Sequence, residues 1–147
     1  MFKKILLPTD GSELSRRAIK KGVELAKSID AGVVGFFSPL DYRAMLYSDY
    51  IPATLMSQDE FEANGAKAAK KQLAFVERAA KAAGVKYESY HASSTAPWEA
   101  IVHAAKKTRC DLIFMASHGR TGFSALMLGS QAAKVLTHSK VPVLIYR

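Results

Sequence analysis

The sequence has 147 residues and a mass of 16.0 kDa, with 49% hydrophobic residues, one cysteine and a formal net charge of +8. This length predicts one domain, residues 1–147, whose core needs neither disulfides nor a structural metal. The lone cysteine, Cys110, excludes a disulfide-built secreted scaffold and favours a reducing compartment. No apolar run reaches the roughly 18 residues that a membrane span requires, and the N-terminal run ends at Pro8. We therefore expect a cytoplasmic protein with no membrane partner.

The basic residues are spread along the chain in three groups, at residues 16–27, 67–81 and 106–109. Most of them recur at helical spacing, which predicts solvent-exposed helix faces. No DNA-reading motif or aromatic-interleaved basic patch accompanies them. The pattern therefore disfavours nucleic-acid binding and favours solubility and attraction of anionic ligands.

Hydrophobic periodicity predicts alternating strands and helices along the whole chain. The predicted strands are residues 2–7, 32–37, 85–92, 111–116 and 141–146, and the predicted helices are 12–29, 57–84, 97–107 and 130–138. Residues 40–56 show no clean period and are predicted to form a long, partly apolar loop. The alternation predicts an α/β fold with a parallel sheet covered on both faces. Ligands of such sheets bind beyond the carboxyl ends of the strands, which directs attention to the loops after strands 1, 2 and 4.

The loop after the fourth strand is rich in glycine and hydroxyl side chains. Glycines let backbone amides approach an anion, and the amides of Gly129, Ser130 and Gln131 are predicted to point outward from a helix N-terminus. The loop is neither a P-loop nor a G-x-G-x-x-G fingerprint. From the residues alone, phosphate binding and a flexible connection in which Gly129 eases a tight turn remain equal alternatives.

Motifs at both ends of the chain resemble the universal stress protein (UspA) family. They are the first strand followed by Pro8-Thr9-Asp10-Gly11-Ser12, and the stretch from Met115 to the final strand 141–146. ATP-binding members of this family carry G-x2-G-x9-G-(S/T). The corresponding residues here are Ala116, Gly119, Gly129 and Ser130, so alanine replaces the first glycine while its backbone amide is retained.

The resemblance implies a Rossmann-like, open five-stranded parallel sheet of the adenine nucleotide alpha hydrolase type, with strand order 3-2-1-4-5. It also implies ATP binding between strands 1 and 4, with Mg²⁺ or Mn²⁺ held through the phosphates, and a nucleotide-sensing role in stress responses. The implied adenosine contacts are Pro8, Thr9, Asp10, Ser38, Met115 and Ala116, and the implied phosphate contacts are Gly119, Arg120, Gly129, Ser130 and Gln131. The family further implies a homodimer formed through the edge strand 141–146.

Several of these residues also have a purely structural interpretation. Asp10 also suits a turn or a helix cap, Arg120 suits either phosphate or water, and His118 is expected to face solvent. We expect Cys110 to be an inert thiol and Trp98 to be a packing residue. His91, His103 and His138 lack metal-ligand spacing.

No catalytic constellation stands out near the predicted crevice, so at most slow ATP hydrolysis is expected. Two other functions remain open: a nucleotide-free dimeric interaction module, and a weak ATPase or phosphotransferase. The preference among ATP, ADP and AMP is also open.

Overall fold

The computed structural model describes residues 1–46, 56–119 and 127–147. Its elements are β1 (Lys4–Pro8), α1 (Glu13–Ser28), β2 (Gly32–Phe37), α2 (Tyr42–Leu46), α3 (Gln58–Ala83), β3 (Tyr87–His91), α4 (Pro97–Lys107), β4 (Leu112–Ala116), α5 (Ser130–His138) and β5 (Val143–Tyr146). All strand pairs are parallel, and the order across the sheet is β3-β2-β1-β4-β5. The predicted fold class and strand order are confirmed.

Helices cover both faces of this sheet. Because successive strand residues point to opposite faces, Ile5 and Leu7 of β1 pack under α1 and α3, while Leu6 packs under α4 and α5. A side chain at Gly22 would overlap Leu7, so this glycine allows α1 to lie close against β1. The two buried cores fix the ends of β1 and β4, where the predicted site lies.

The predicted helix boundaries rest on local signals that the structure confirms. The Ser12 side chain caps α1 by accepting from the Ser15 N–H. Ser57 and Glu60 form the reciprocal capping box of α3, whose C-terminus is closed by Gly84 in the left-handed conformation at φ +72°. Pro97 occupies the first turn of α4.

The prediction of a loop throughout residues 40–56 is wrong in its first part. The short helix α2 forms there, because Met45 is buried and the Tyr42 ring packs edge-on against Phe61 of α3. Residues 47–55 lie outside the described residues. The periodicity missed α2 because five residues are too few to establish a helical repeat.

Four strands are shorter than predicted. β1 begins at Lys4 instead of residue 2 and ends at Pro8, one residue later than predicted, where Pro8 still pairs with Phe36 of β2. β3 loses both predicted ends, β4 begins one residue later and β5 begins at Val143 instead of residue 141. Pro142 has no N–H to donate, although its carbonyl accepts from Ile113 at 2.9 Å. Across the described segments, no helix is both long and apolar enough to cross a membrane.

Candidate functional site

A cavity of about 570 Å³ opens at the carboxyl ends of β1 and β4. Its volume falls within the range of small-molecule sites. Ten of the eleven predicted site residues line it: Pro8, Thr9, Asp10, Ser38, Met115, Ala116, Gly119, Gly129, Ser130 and Gln131. The eleventh, Arg120, lies outside the described residues. The fold thus gathers segments 8–10, 38, 115–119 and 129–131 around one space.

The loop from β1 to α1 is held by buried hydroxyl groups. The Thr9 N–H donates to the carbonyl of Phe36 at 2.9 Å, which extends the sheet by one residue. The Thr9 Oγ1 lies 3.1 Å from Ser15 Oγ and accepts from the Gly11 N–H at 3.1 Å. Gly11 has a φ of +80°, which only glycine adopts without strain. This network orients Asp10 toward the cavity.

Asp10 forms the turn contact that the sequence suggested and also lies on the cavity wall. Its Oδ1 accepts from the Ser12 N–H at 2.9 Å, which stabilises the turn before α1, and the residue also lines the cavity. Its Oδ2 lies against Gly119, where an added side chain would overlap it. Gly119 therefore allows the loop after β4 to approach the loop after β1.

Gly129 has the structural role that was one of its two alternatives: it allows close packing at the turn before α5. Its N–H donates to the carbonyl of Ser117 at 2.7 Å, so this amide is not aimed at a ligand. A Cβ on Gly129 would lie 3.0 Å from the same carbonyl oxygen and 3.1 Å from His118 Cα. The other two predicted donors, the N–H groups of Ser130 and Gln131, lie in the first turn of α5. They remain free to bind a ligand within the helix geometry, because the first N–H groups of a helix have no intrahelical acceptor.

The Gln131 side chain joins two helix N-termini. Its Oε1 accepts from the Trp98 N–H at 3.0 Å, in the first turn of α4. Ala96, at the N-cap of α4, provides no side-chain cap, so Gln131 supplies the acceptor from another element. Sequence reasoning placed Gln131 at the site but could not predict this contact, because positions 98 and 131 are distant along the chain.

The lining of the cavity has an apolar part and a polar part. Phe36, Phe37, Leu40, Ile101 and Met115 line the apolar part. The Ser38 hydroxyl donates to the carbonyl of Ala92 at 3.1 Å, so it secures the end of β2. Such a wall suits a flat aromatic ring, and the first turn of α5 suits an anion.

Several lining residues were absent from the prediction. They are Ser15, Phe36, Phe37, Leu40, Pro97, Ile101, His118 and Ala132. His118 was expected to face solvent, but it is half-buried on the cavity wall, with Nδ1 3.0 Å from Ser117 Oγ. Phe36 and Phe37 could have been predicted as lining residues, because they end β2 and strand ends line such crevices. Nothing in the sequence marked the α4 residues as part of the site.

The electrostatics of the site are set by few groups. Among the lining residues that the structure describes, Asp10 is the carboxylate and there is no lysine or arginine. Within the described ranges, no group of three or more His, Cys, Asp or Glu could hold a metal ion. A cation here would need oxygen ligands supplied by the bound molecule.

Cys110 and Trp98, for which structural roles were predicted, do not line the cavity. Burial raises the pKa of the Cys110 thiol, which agrees with the inert thiol expected. Trp98 packs in the α4–α5 core, and its ring lies 4.5 Å from that of His138. The prediction that Trp98 is a packing residue is confirmed.

Comparisons with known proteins agree with this architecture. The sequence model of the Universal stress protein family matches residues 1–147. Universal stress protein MJ0531 of Methanocaldococcus jannaschii is 31% identical over 147 residues, covering 100% of this chain and 83% of its own. Universal stress protein YxiE of Bacillus subtilis is 32% identical over 151 residues, with 100% of both chains covered.

Solved structures of related proteins share this fold. Protein MJ0577 of M. jannaschii has a TM-score of 0.81 at 26% identity, covering 99% of this chain and 95% of that one. A universal stress protein in complex with cAMP has a TM-score of 0.71 at 26% identity, covering 99% and 97%. The full-length sequence match, the relatives and the shared fold establish that this chain belongs to the universal stress protein family.

Proposed function

We propose that this chain binds an adenine nucleotide in the cavity between β1 and β4 and acts as a nucleotide-sensing stress-response module. The observation that carries the proposal is the convergence of four separate segments on one cavity whose lining includes apolar side chains and the N-terminus of α5. The 26% identical relative crystallised with cAMP supports an adenine nucleotide as the class of ligand. In this arrangement the base lies against the apolar wall and the phosphates face α5.

The replacement of the first motif glycine by Ala116 is compatible with this proposal. Ala116 belongs to the buried cluster beneath α1, so its methyl group packs within that core. The same residue borders the cavity through the end of β4. We therefore expect the substitution to leave nucleotide binding intact.

A divalent cation would accompany the nucleotide as part of the same ligand. The lining described offers the Asp10 carboxylate and the Ser130 hydroxyl as oxygen ligands, too few to hold an ion alone. Mg²⁺ or Mn²⁺ would offset the charge of a polyphosphate, since the lining that the structure describes has no lysine or arginine to do so. Nucleotides with several phosphates are thus expected to depend more strongly on the cation than AMP does.

A thermal melt of the nucleotide-stripped protein tests the proposal. Mg-ATP at about 100 times its dissociation constant is expected to add roughly 2.7 kcal/mol of stability, which raises the Tm by several degrees. GTP is the control, and ADP, AMP and cAMP rank the preference. Folded, stripped protein that no nucleotide stabilises would favour the nucleotide-free interaction module instead.

The homodimer expected from the family is also a proposal for this chain. β5 is an edge strand, and α5 covers only one of its faces. Leu144 pairs with Phe114 on the other face and remains 38% exposed. An apolar edge of this kind favours pairing with a second copy.

Leu144→Lys is expected to convert the dimer to a monomer at micromolar concentration, because a two-fold interface brings both new charges together. Light scattering coupled to gel filtration measures the mass. Ala82→Lys adds the same charge on an exposed part of α3 and should leave the dimer intact. A monomeric parent protein would refute the dimer, and a dimeric Leu144→Lys variant would place the interface elsewhere.

A further inference from the structure

A second functional surface lies at the end of the molecule opposite the cavity. Because all strand pairs are parallel, α1, α3, α4 and α5 all end at the edge where the strands begin. Backbone hydrogen bonds hold this edge together: the carbonyls of Lys3 and Lys86 accept from Gly32 and Val33 at 2.9 and 2.8 Å. Segments far apart in sequence thus share one end face.

Eight exposed cations lie on this face, which we call the basic end. The start of β1 and the ends of α1 and α3 contribute Lys3, Lys27, Lys81 and Lys86. The turns that follow α4 and α5, with the last turn of α4, contribute Lys106, Lys107, Arg109 and Lys140. The four helix ends bring together cations that the sequence shows as separate groups.

Few acidic groups offset this charge. Asp111 accepts from the backbone N–H groups of Lys3 and Lys4, and Glu88 forms an ion pair with Lys4 at 2.8 Å. Asp30, exposed in the turn after α1, adds a third carboxylate. None of the eight cations forms an ion pair with a described residue. Most of the chain's net charge of +8 is therefore on the basic end.

Arg109 provides an independent observation. It is exposed and follows α4 with a φ of +57°, a conformation that favours glycine. Asp30 has the same geometry after α1, with a φ of +54°. A cation near a helix C-terminus interacts favourably with the helix dipole. That interaction does not require an arginine at a position with positive φ. Arg109 therefore presents an exposed positive charge at a position where glycine would be less strained.

We propose that the basic end binds the surface of an anionic lipid bilayer. This peripheral contact needs no spanning helix, and it replaces the expectation of no membrane partner, which was based on the lack of a long apolar run. The turns at this end have three or four residues, so no helix or hairpin projects from it. Its cations lie on both sides of a sheet edge about 20 Å wide, because α1 and α3 cover one face of the sheet and α4 and α5 the other, so they form a patch and not a row. A flat anionic surface can contact all of them at once, whereas nucleic-acid readout uses an element that enters a groove. In this orientation the cavity faces away from the lipid and remains open to nucleotide.

Co-sedimentation of the full chain with vesicles tests the proposal. Phosphatidylcholine vesicles containing phosphatidylglycerol should bind it, pure phosphatidylcholine vesicles should not, and added salt should weaken binding. The double variant Lys106→Gln/Lys107→Gln should lower the affinity on the order of tenfold. Lys70→Gln/Lys71→Gln is the matched control, because these exposed residues precede Gln72, which contacts Gly11 at the cavity end.

Two glycine variants separate charge from fold. Arg109→Gly and Asp30→Gly relieve the same backbone strain, so neither should lower the Tm, yet the first should weaken vesicle binding and the second should strengthen it. The proposal fails if anionic vesicles do not bind at low salt, or if both lysine pairs reduce binding equally. Binding to a DNA duplex without binding to vesicles would also overturn it, in favour of a nucleic-acid surface.

Discussion

The Ser130→Asp variant is expected to lose adenine-nucleotide affinity by on the order of a hundredfold while keeping its fold. Ser130 is the first residue of α5 and lines the polar part of the cavity. A carboxylate at this position would repel the phosphates that the helix N-terminus attracts in the proposed complex. The same carboxylate is favourable to the free protein, because a negative charge stabilises the first turn of a helix. Binding and stability should therefore change in different directions.

Isothermal titration with Mg-ATP measures the affinity, and thermal melting of the stripped protein measures the stability. Ser130→Asn is the matched control, because asparagine has the shape of aspartate without its charge. It should retain most of the affinity. If Ser130→Asp binds as tightly as the parent protein, the phosphates do not lie at α5 and the proposed orientation of the nucleotide is wrong.

The Gly129→Val variant is expected to lose about 1–3 kcal/mol of stability even without nucleotide, as an overpacked site does. Its side chain would press on the Ser117 carbonyl and the His118 backbone, where a Cβ already has 3.0 and 3.1 Å separations. The hydrogen bond from Gly129 to Ser117, at 2.7 Å, would lengthen or break. The start of α5 would then move away from the end of β4.

Urea denaturation of the nucleotide-free protein checks this expectation. Gly32→Val is a suitable comparison, because the nearest atoms to a Cβ there are 3.6 Å away and valine is favourable in a strand. A Gly129→Val protein as stable as its parent would show that the loop after β4 has room to adjust. Together with the Ser130 variants, this result separates the residue that holds the loop from the residue that faces the ligand.

The sequence was sufficient for the features that depend on neighbouring residues. The capping box at Ser57 and the glycine stop at Gly84 define α3, because both signals act within one helical turn. Alternating buried strands and helices predicted the parallel sheet, and the two terminal motifs indicated the family. Parallel strands place their carboxyl ends at one edge, so the pattern directed attention to the loops after strands 1, 2 and 4, and the resemblance to the family implied the space between β1 and β4.

The sequence could not assign roles within the cavity. Gly129 and Ser130 are adjacent and both suit a phosphate loop, yet the first donates its amide to Ser117 while the second lies at the cavity. Ile101 joins the lining from α4, where its spacing indicates only a core residue. These contacts join positions that are far apart along the chain, so only the packed structure determines them.

By itself, the sequence determined the elements other than α2, their order and most of the segments that meet at the site, because propensity, capping and hydrophobic period are local properties. The tertiary structure decided which amides and side chains face the cavity and which are used to hold the loops. It also gathered scattered lysines into one basic end, since four helices that cross a parallel sheet in the same direction must all end on the same side. Charge that appears dispersed along the chain is therefore concentrated in space.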